Sequence, residues 1–394
     1  MPEIDRLKRL DPVNKGYLLE YVRHLELKQL KPNTVKIKLW KVYTFMIFTE
    51  FKDTKEATKD DIENYVIDRR KNCSPFTVQG DILELKLFLR FLMPEREKEL
   101  FTFKMKKPKR SLPVDQLITR KDIQRLVAAC DTQRDRALIM LLWDSGARLN
   151  EIMTLNLNQV EFDKYGAVVI VDGKTGRRRL RLTDSVPDIQ AWVNMHPMKD
   201  EPKAPLFIVY NRYGMGSKRL NFRTVENRLK NLAAKLDMTK RISPHAIRHA
   251  RLTDLVKSEG NKKGFSEMEL RIIAGWEPNS TMPEIYVHLS GADVEKKVLA
   301  NAGLLEDTEE EIKDRELEAK RCPRCKSLNA YDAKFCMSCS MVLSAEAAME
   351  LDYKQKELDA QLSGLIDSKI EDLIEKRAEE ILKEKIGAIG RGEV

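Results

Sequence analysis

No stretch of about 18 consecutive apolar residues occurs in the 394-residue chain, which excludes a helical membrane span. The opening "MPEIDRLKRLDPVNKGY" has no apolar signal core, so the expected compartment is the cytoplasm. No internal repeat is present, which argues against solenoid and propeller architectures. Cysteine is scarce: six in all, with Cys73 and Cys130 standing alone in helical-looking sequence as buried free thiols. Histidine is scarcer still, at five, yet two of them fall in "SPHAIRHARLTDL" among arginines. Crowding cations in one helical turn is unfavourable unless an anion faces them.

What is abundant is charge, at 34% beside 42% hydrophobic residues, a balance that fits soluble modules and a length that allows several. The net charge is +9. Residues 304–321 carry 4 basic against 8 acidic residues, 346–394 carry 8 against 13, and 322–345 carry 3 against 1. Residues 1–303 therefore hold a surplus of 16 positive charges, and a basic body of this kind points to nucleic acid as a partner.

Apolar residues at three- and four-residue spacing predict helices through residues 12–103, with start signals at Thr58 and Ser74-Pro75. A basic, proline-bearing linker follows at 104–113, with Lys104, Lys106, Lys107, Lys109 and Arg110 suited to phosphates. Residues 114–303 mix helices with a hairpin around "DGKTG" in "GAVVIVDGKTGRRRLRLTD". An acidic connecting helix is expected at 304–320. A cysteine cluster occupies 321–343, and a charged helical or coiled-coil tail spans 346–388. The fold class is mainly α, with one small antiparallel β element.

Polar residues gather at the element boundaries of the mixed region: Arg148, Lys174, His245, Arg248, Trp276 and Tyr286. Two guanidiniums suit the non-bridging oxygens of a phosphodiester and the charge that grows there in a transition state. A phenol can form a covalent phosphoester, and a lysine or histidine can move protons. The anion in front of these cations is therefore read as a phosphate. Singly, each residue has an ordinary structural reading: Arg148 a helix-end cation, His245 a surface residue, Tyr286 and Trp276 packing aromatics, Lys174 a solvated turn cation. Five such coincidences in chain order reverse those odds.

"GARLNEI", "GKTGRRR", "PHAIRHARLTDLV" and "AGWEPNSTMPEIYVHL" resemble the four catalytic boxes of the tyrosine recombinases, the family of Xer, Cre and phage lambda integrase. The layout is similar over roughly residues 12–303. The resemblance implies a helical, SAM-like N-terminal DNA-binding domain and a mixed α/β catalytic domain that together clamp duplex DNA. It implies that Arg148 and Arg248 hold the scissile phosphate and Glu151 supports the site, with His249 also in support. Lys174 would be the general acid, His245 would assist proton transfer, and Tyr286 would attack phosphorus to leave a 3′-phosphotyrosyl bond. Arg177, Arg178 and Arg179 would contact DNA beside the hairpin. The active assembly would be a homotetramer on two synapsed duplexes, monomeric or dimeric when free, and no metal or other cofactor serves catalysis. Trp276 stands where many members have histidine, and Tyr286 follows it at an interval of ten positions, one more than in Xer-like sequences and similar to archaeal integrases. A type IB topoisomerase-like relaxing enzyme and a non-catalytic DNA-binding protein on the same fold are the alternatives.

Finally, "CPRCKSLNAYDAKFCMSC" places Cys322, Cys325, Cys336 and Cys339 as two C-x2-C pairs ten residues apart. That spacing predicts a structural zinc ribbon with four thiolate ligands. Lys326 and Ser340 stand after the second cysteine of each pair, where such turns usually have glycine.

Overall fold

The computed structural model describes residues 10–106, 116–173, 176–209, 216–257, 264–283, 286, 295, 298, 299, 302 and 317–390. Lys107, Lys109 and Arg110 of the linker, Lys174, and nearly all of the expected connecting helix at 304–320 lie outside these residues. The chain divides into two compact units, residues 1–111 and 112–394.

Unit one is a helical bundle of α1 (Pro12–Leu27), α2 (Pro32–Phe48), α3 (Lys59–Asn72), α4 (Pro75–Leu92) and the single turn α5 (Glu97–Leu100). Its helices start where local chemistry dictates. Asp11 accepts from the amides of Val13 and Asn14, with Pro12 at the first helical position. Thr58 and Asp61 form a reciprocal capping box. Leu18, Val42, Phe45, Met46, Ile62, Leu85, Phe88 and Leu89 fill the interior. Its buried polar groups are matched: Asp81 takes Arg69 Nη2 at 2.6 Å, and Glu84 takes the Tyr21 hydroxyl at 2.7 Å. At its C-terminal end Phe103 and Met105 pack on this core while Lys104 and Lys106 face solvent.

Unit two is built around α7 (Gln133–Ser145), whose residues Ala137 to Trp143 are all buried. Against it pack α6 (Arg120–Ala128), α9 (Val186–Asn194) and α11 (Pro244–Val256), with α8 (Leu149–Met153), α10 (Phe222–Lys235) and α12 (Glu267–Ala274) completing the helical part. The sheet is a three-stranded antiparallel meander of β1 (Val160–Asp163), β2 (Gly166–Gly173) and β3 (Gly176–Leu182). Val169 faces both Val160 and Leu180, and the β2–β3 register ends at Gly173 opposite Gly176. The expected hairpin is there, but β1 adds a strand that the sequence reading left out. Four residues with mostly exposed side chains give too weak a period-two signal to read.

The last element is a single helix, Ala345–Gly390, of 46 residues and about 70 Å. Its described side chains beyond Ala347 are exposed. No described helix is both long and apolar enough to cross a membrane.

Candidate active site

Two glycines and one buried carboxylate organise the site. α7 ends at Gly146 in the left-handed conformation (φ 56°), and α12 ends the same way at Gly275 (φ 60°). Such caps stop a helix abruptly and leave its last carbonyls without intrahelical partners. Here arginines take them. Arg178 Nε donates to Ile273 O at 3.1 Å, Arg248 Nη2 to Ala274 O at 2.7 Å, and Arg148 Nη2 to Gly275 O at 3.0 Å. Arg248 Nη1 also donates to Gly146 O at 2.8 Å, tying the ends of α7 and α12 together. Three arginines from three parts of the sequence thus converge on three successive carbonyls.

Glu151, 1% exposed, supplies the balancing charge. It accepts Arg178 through both oxygens, at 2.8 and 2.6 Å, and Arg148 Nη1 at 3.0 Å. The Arg148 amide donates to it as well, at 2.8 Å, which fixes the start of α8. Burial acts to raise the Glu151 pKa, but the Arg178 hydrogen bonds, the Arg148 amide and the neighbouring charges together hold it below its ordinary value. Arg248 is 4% exposed. Burial and the nearby Arg148 lower its pKa to about 10. One carboxylate does not neutralise three guanidiniums, so the cluster retains positive charge for an anion.

Tyr286 completes the cluster. It is 7% exposed and packs with Leu252, Val256, Leu270 and Ala274 of α11 and α12. Its amide donates to Pro283 O at 2.9 Å, a tight turn that carries the ring back to the site. Trp276, the residue after the Arg148-bound Gly275, stacks on the Tyr286 ring at 5.3 Å and lies 6.0 Å from the Arg248 guanidinium carbon. Trp276 therefore uses its ring face here. On the other side the His249 ring stacks on Tyr286 at 5.2 Å, and His249 Nδ1 is in hydrogen-bond contact with Tyr286 Oη.

His245 is exposed at the mouth of α11 and meets His249 Nε2 at 2.9 Å, so His249 and not His245 touches the phenol. Arg178 was grouped with Arg177 and Arg179 as a DNA contact, and this needs correcting. Its donors are committed to Glu151 and Ile273 O, because strand alternation turns it inward while Arg177 and Arg179 face solvent. Lys174 lies outside the described residues, between the paired Gly173 and Gly176. Arg251, beside the histidines in sequence, turns to Asp254 (3.0 Å), Asp144 (3.5 Å) and Asp184 (3.8 Å), a buried structural network.

Far along the chain, the four cysteines also converge. Their sulfurs all lie within 4.8 Å of one another, with Cys322–Cys339 at 3.6 Å and Cys325–Cys336 at 3.5 Å. Thiolates about 2.3 Å from a tetrahedral ion stand about 3.8 Å apart, so the set fits a closed four-sulfur metal site. The two knuckles repeat one hydrogen-bond pattern. Lys326 N donates to Cys322 O and Ser340 N to Cys336 O, while Cys322 N donates to Ser327 O and Cys336 N to Met341 O. Lys326 (φ 63°) and Ser340 (φ 57°) adopt the left-handed conformation that glycine would hold without strain. The short β4 (Lys320–Arg321) and β5 (Leu328–Asn329) frame the first knuckle, so the ribbon starts at 320, one residue before its expected edge.

Residues 116–292 match the profile described as the phage integrase family. The chain is 24% identical over 251 residues to tyrosine recombinase XerA of Pyrococcus horikoshii, covering 64% of this chain and 83% of that protein. It is 25% identical over 291 residues to XerD of Lacticaseibacillus casei, covering 70% and 94%. Among solved structures it resembles the Tn1549 transposon integrase in complex with circular intermediate DNA, with a TM-score of 0.53, 17% identity and coverage of 72% and 98%. It also resembles a lambda integrase dimer bound to a COC′ core site, with a TM-score of 0.52, 13% identity and coverage of 70% and 95%. At these identities the structural likenesses establish the fold.

Proposed function

We propose that this chain, a tyrosine recombinase by the phage-integrase-family domain at residues 116–292, breaks and rejoins duplex DNA at specific sites through a covalent bond to Tyr286. The observation that carries the assignment of residues is convergence. Arg148 and Arg248 bind adjacent carbonyls of one turn, and the next residue, Trp276, stacks on the Tyr286 ring. A phosphodiester set before them would place its non-bridging oxygens on the two guanidiniums and its phosphorus before the phenol. The Tyr286 oxygen bonds to phosphorus, the 5′-oxygen leaves, and a 3′-phosphotyrosyl link conserves the energy of the broken bond. Rejoining is the reverse attack by a 5′-hydroxyl, on the same or a partner duplex. Lys174, which falls in the sequence between the paired Gly173 and Gly176, is assigned as the acid that protonates the leaving oxygen.

The wider reading follows. Lys104, Lys106, Lys107, Lys109, Arg110, Arg177 and Arg179 contact the DNA backbone, and residues 12–103 form a DNA-binding domain. Four copies assemble on two synapsed duplexes, in the cytoplasm, where free thiols persist. Cys322, Cys325, Cys336 and Cys339 hold a structural zinc ion, which leaves no open coordination position for catalysis. The test starts from a random-sequence pool of duplexes, each nicked a few nucleotides 3′ to the candidate scissile phosphate so that the cleaved fragment diffuses away. Covalent protein–DNA adduct with the wild-type chain and none with Tyr286→Phe supports the reading. Adduct retained by Tyr286→Phe, or DNA retention without adduct by the wild type, overturns it.

A further inference from the structure

A free phenol titrates near 10 in water, so attack by the Tyr286 hydroxyl at neutral pH requires that its proton go somewhere as the bond to phosphorus forms. The arginines cannot accept it. Two imidazoles stand in line with the phenol. His249 Nδ1 meets Tyr286 Oη, the two rings stack at 5.2 Å and 21°, and His249 Nε2 lies 2.9 Å from His245 Nε2. His245 and His249 are four residues apart on α11, one turn, which puts them on the same face. Their rings meet edge-on at 4.3 Å and 84°. A nitrogen pair at that separation shares one proton, so one ring donates and the other accepts. The row of phenol, half-buried imidazole and exposed imidazole ends at solvent.

We propose that His249 is the general base for Tyr286 and that His245 acts behind it as the outlet to water. The inference rests on the recombinase reading of the site. In cleavage, Tyr286 Oη forms a bond to phosphorus while its proton passes to Nδ1 of neutral His249. The bond from phosphorus to the 5′-oxygen breaks, and that oxygen takes its proton from the acid on the opposite side. His249, now an imidazolium, hands its Nε2 proton to His245 Nε2 across the 2.9 Å contact. In rejoining, the 5′-hydroxyl attacks, the phosphotyrosyl bond breaks, and His249 returns a proton to Oη. The stack between Trp276 and His249 holds the phenol oxygen on Nδ1 throughout. His249 is thus assigned to the nucleophile and Lys174 to the leaving group.

That division is testable with a sulfur leaving group. In a duplex whose scissile phosphate bears a 5′-bridging sulfur, the thiolate departs without protonation. Variants lacking the acid then recover, while variants lacking the base do not. Using sequences selected by adduct formation, His249→Phe keeps a flat ring against Tyr286 but has no basic nitrogen. It is expected to cleave about 10²- to 10³-fold more slowly on the oxygen substrate. The same deficit should persist on the sulfur substrate, where Lys174→Ala regains most of its loss. His249→Asn, with an amide oxygen that is a poor base, is expected to behave alike and serves if the phenylalanine variant does not fold. Wild-type cleavage by a folded variant, or a deficit that sulfur erases, overturns the assignment to His249. Adduct formation by Tyr286→Phe on either substrate instead overturns the recombinase reading beneath it.

Discussion

Arg178 and Glu151 form a two-pronged ion pair, with Nη1 and Nη2 donating to separate carboxylate oxygens at 2.8 and 2.6 Å. The pair is buried on both sides, with side chains 9% and 2% exposed. Glu151 also holds Arg148, so one carboxylate fixes two of the three guanidiniums that surround the proposed phosphate site. Arg178 presents no fork to the DNA; its task is to keep Glu151 ionised and in place.

Removing Glu151 should therefore harm folding as well as chemistry. Glu151→Ala leaves Arg148, Arg178 and Arg248 clustered without a counter-charge, and breaking a buried pair in this way typically costs about 3–5 kcal/mol. Thermal or denaturant unfolding should register that loss, and excess DNA should restore part of it by supplying an anion. The acid limb follows from the same pair. Because the folded-state pKa of Glu151 is lowered, its contribution is complete above its unfolded pKa near 4.3 and fades as pH falls through the lower folded value. Below neutral pH, wild type should lose stability over that acidic window more steeply than Glu151→Ala. Parallel stability-versus-pH curves would remove the pair from the account.

Gly275 is a position where an added methyl group would disturb the arginine cluster directly. Its φ of 60° is costly for alanine by about 1–2 kcal/mol, and a Cβ there would sit 2.7 Å from Arg178 Nη1 and 2.9 Å from its Cζ. Gly275→Ala should push Arg178 off Glu151 and shift the carbonyl that Arg148 binds. We expect adduct formation to fall by more than 10-fold while the protein stays folded, with melting temperature as the control. A variant with wild-type cleavage would mean that the exact position of that turn is unimportant.

These contacts also separate what the chain reveals in its letters from what it does not. Arg148, Arg248 and Tyr286 could be singled out because each follows a break in a periodic pattern, at Gly146, Pro244 and Pro283, and chemistry-bearing residues at such breaks stand out. The inward turn of Arg178 was available too, since alternation places it opposite Arg177 and Arg179, yet a run of arginines at a hairpin reads as one basic patch. Which histidine meets the phenol was not legible. His245 and His249 share a face, and the choice depends on where the Pro283–Tyr286 turn delivers the ring, a long-range result of packing on Leu252 and Leu270. The left-handed Lys326 and Ser340 show the converse: the cysteine spacing overrode the expected glycine.

Arg248 offers a test of donor geometry against charge. Its two terminal nitrogens bridge Gly146 O and Ala274 O, at 2.8 and 2.7 Å, across a buried gap. An ammonium is a point donor and cannot span both, so Arg248→Lys keeps the positive charge and leaves one buried carbonyl unmatched, at about 1–3 kcal/mol. Cleavage on the nicked duplex should drop at least 10²-fold. DNA retention should change far less, because backbone binding rests on many cations. Equal losses in retention and cleavage would show that Arg248 serves binding alone.

The ribbon yields the last prediction, because it is not a free appendage. Tyr331 and Leu328 pack against the hydrophobic core of unit two, and Leu317 is buried within it. Arg136 of α7 binds both Asp188 of α9 and Asp332 of the ribbon at 2.5 and 2.6 Å, with its guanidinium over the Tyr331 ring at 5.6 Å. Few apolar side chains hold the knuckles themselves together, so a zinc ion on the four sulfurs would be their main source of order. Stripping it should then release Leu328 and Tyr331 from the core and lower the melting temperature of the whole second unit by several degrees. Cys336→Ser should do the same in the absence of chelator, with metal content falling from one zinc per chain. Asp332→Asn separates the two effects, since it weakens the link to Arg136 and leaves every sulfur in place. That variant should keep its zinc and show a smaller chelator-induced shift than wild type. A full-sized shift in Asp332→Asn would place the coupling in the apolar contacts, and no shift in any of them would make the ribbon an independent module.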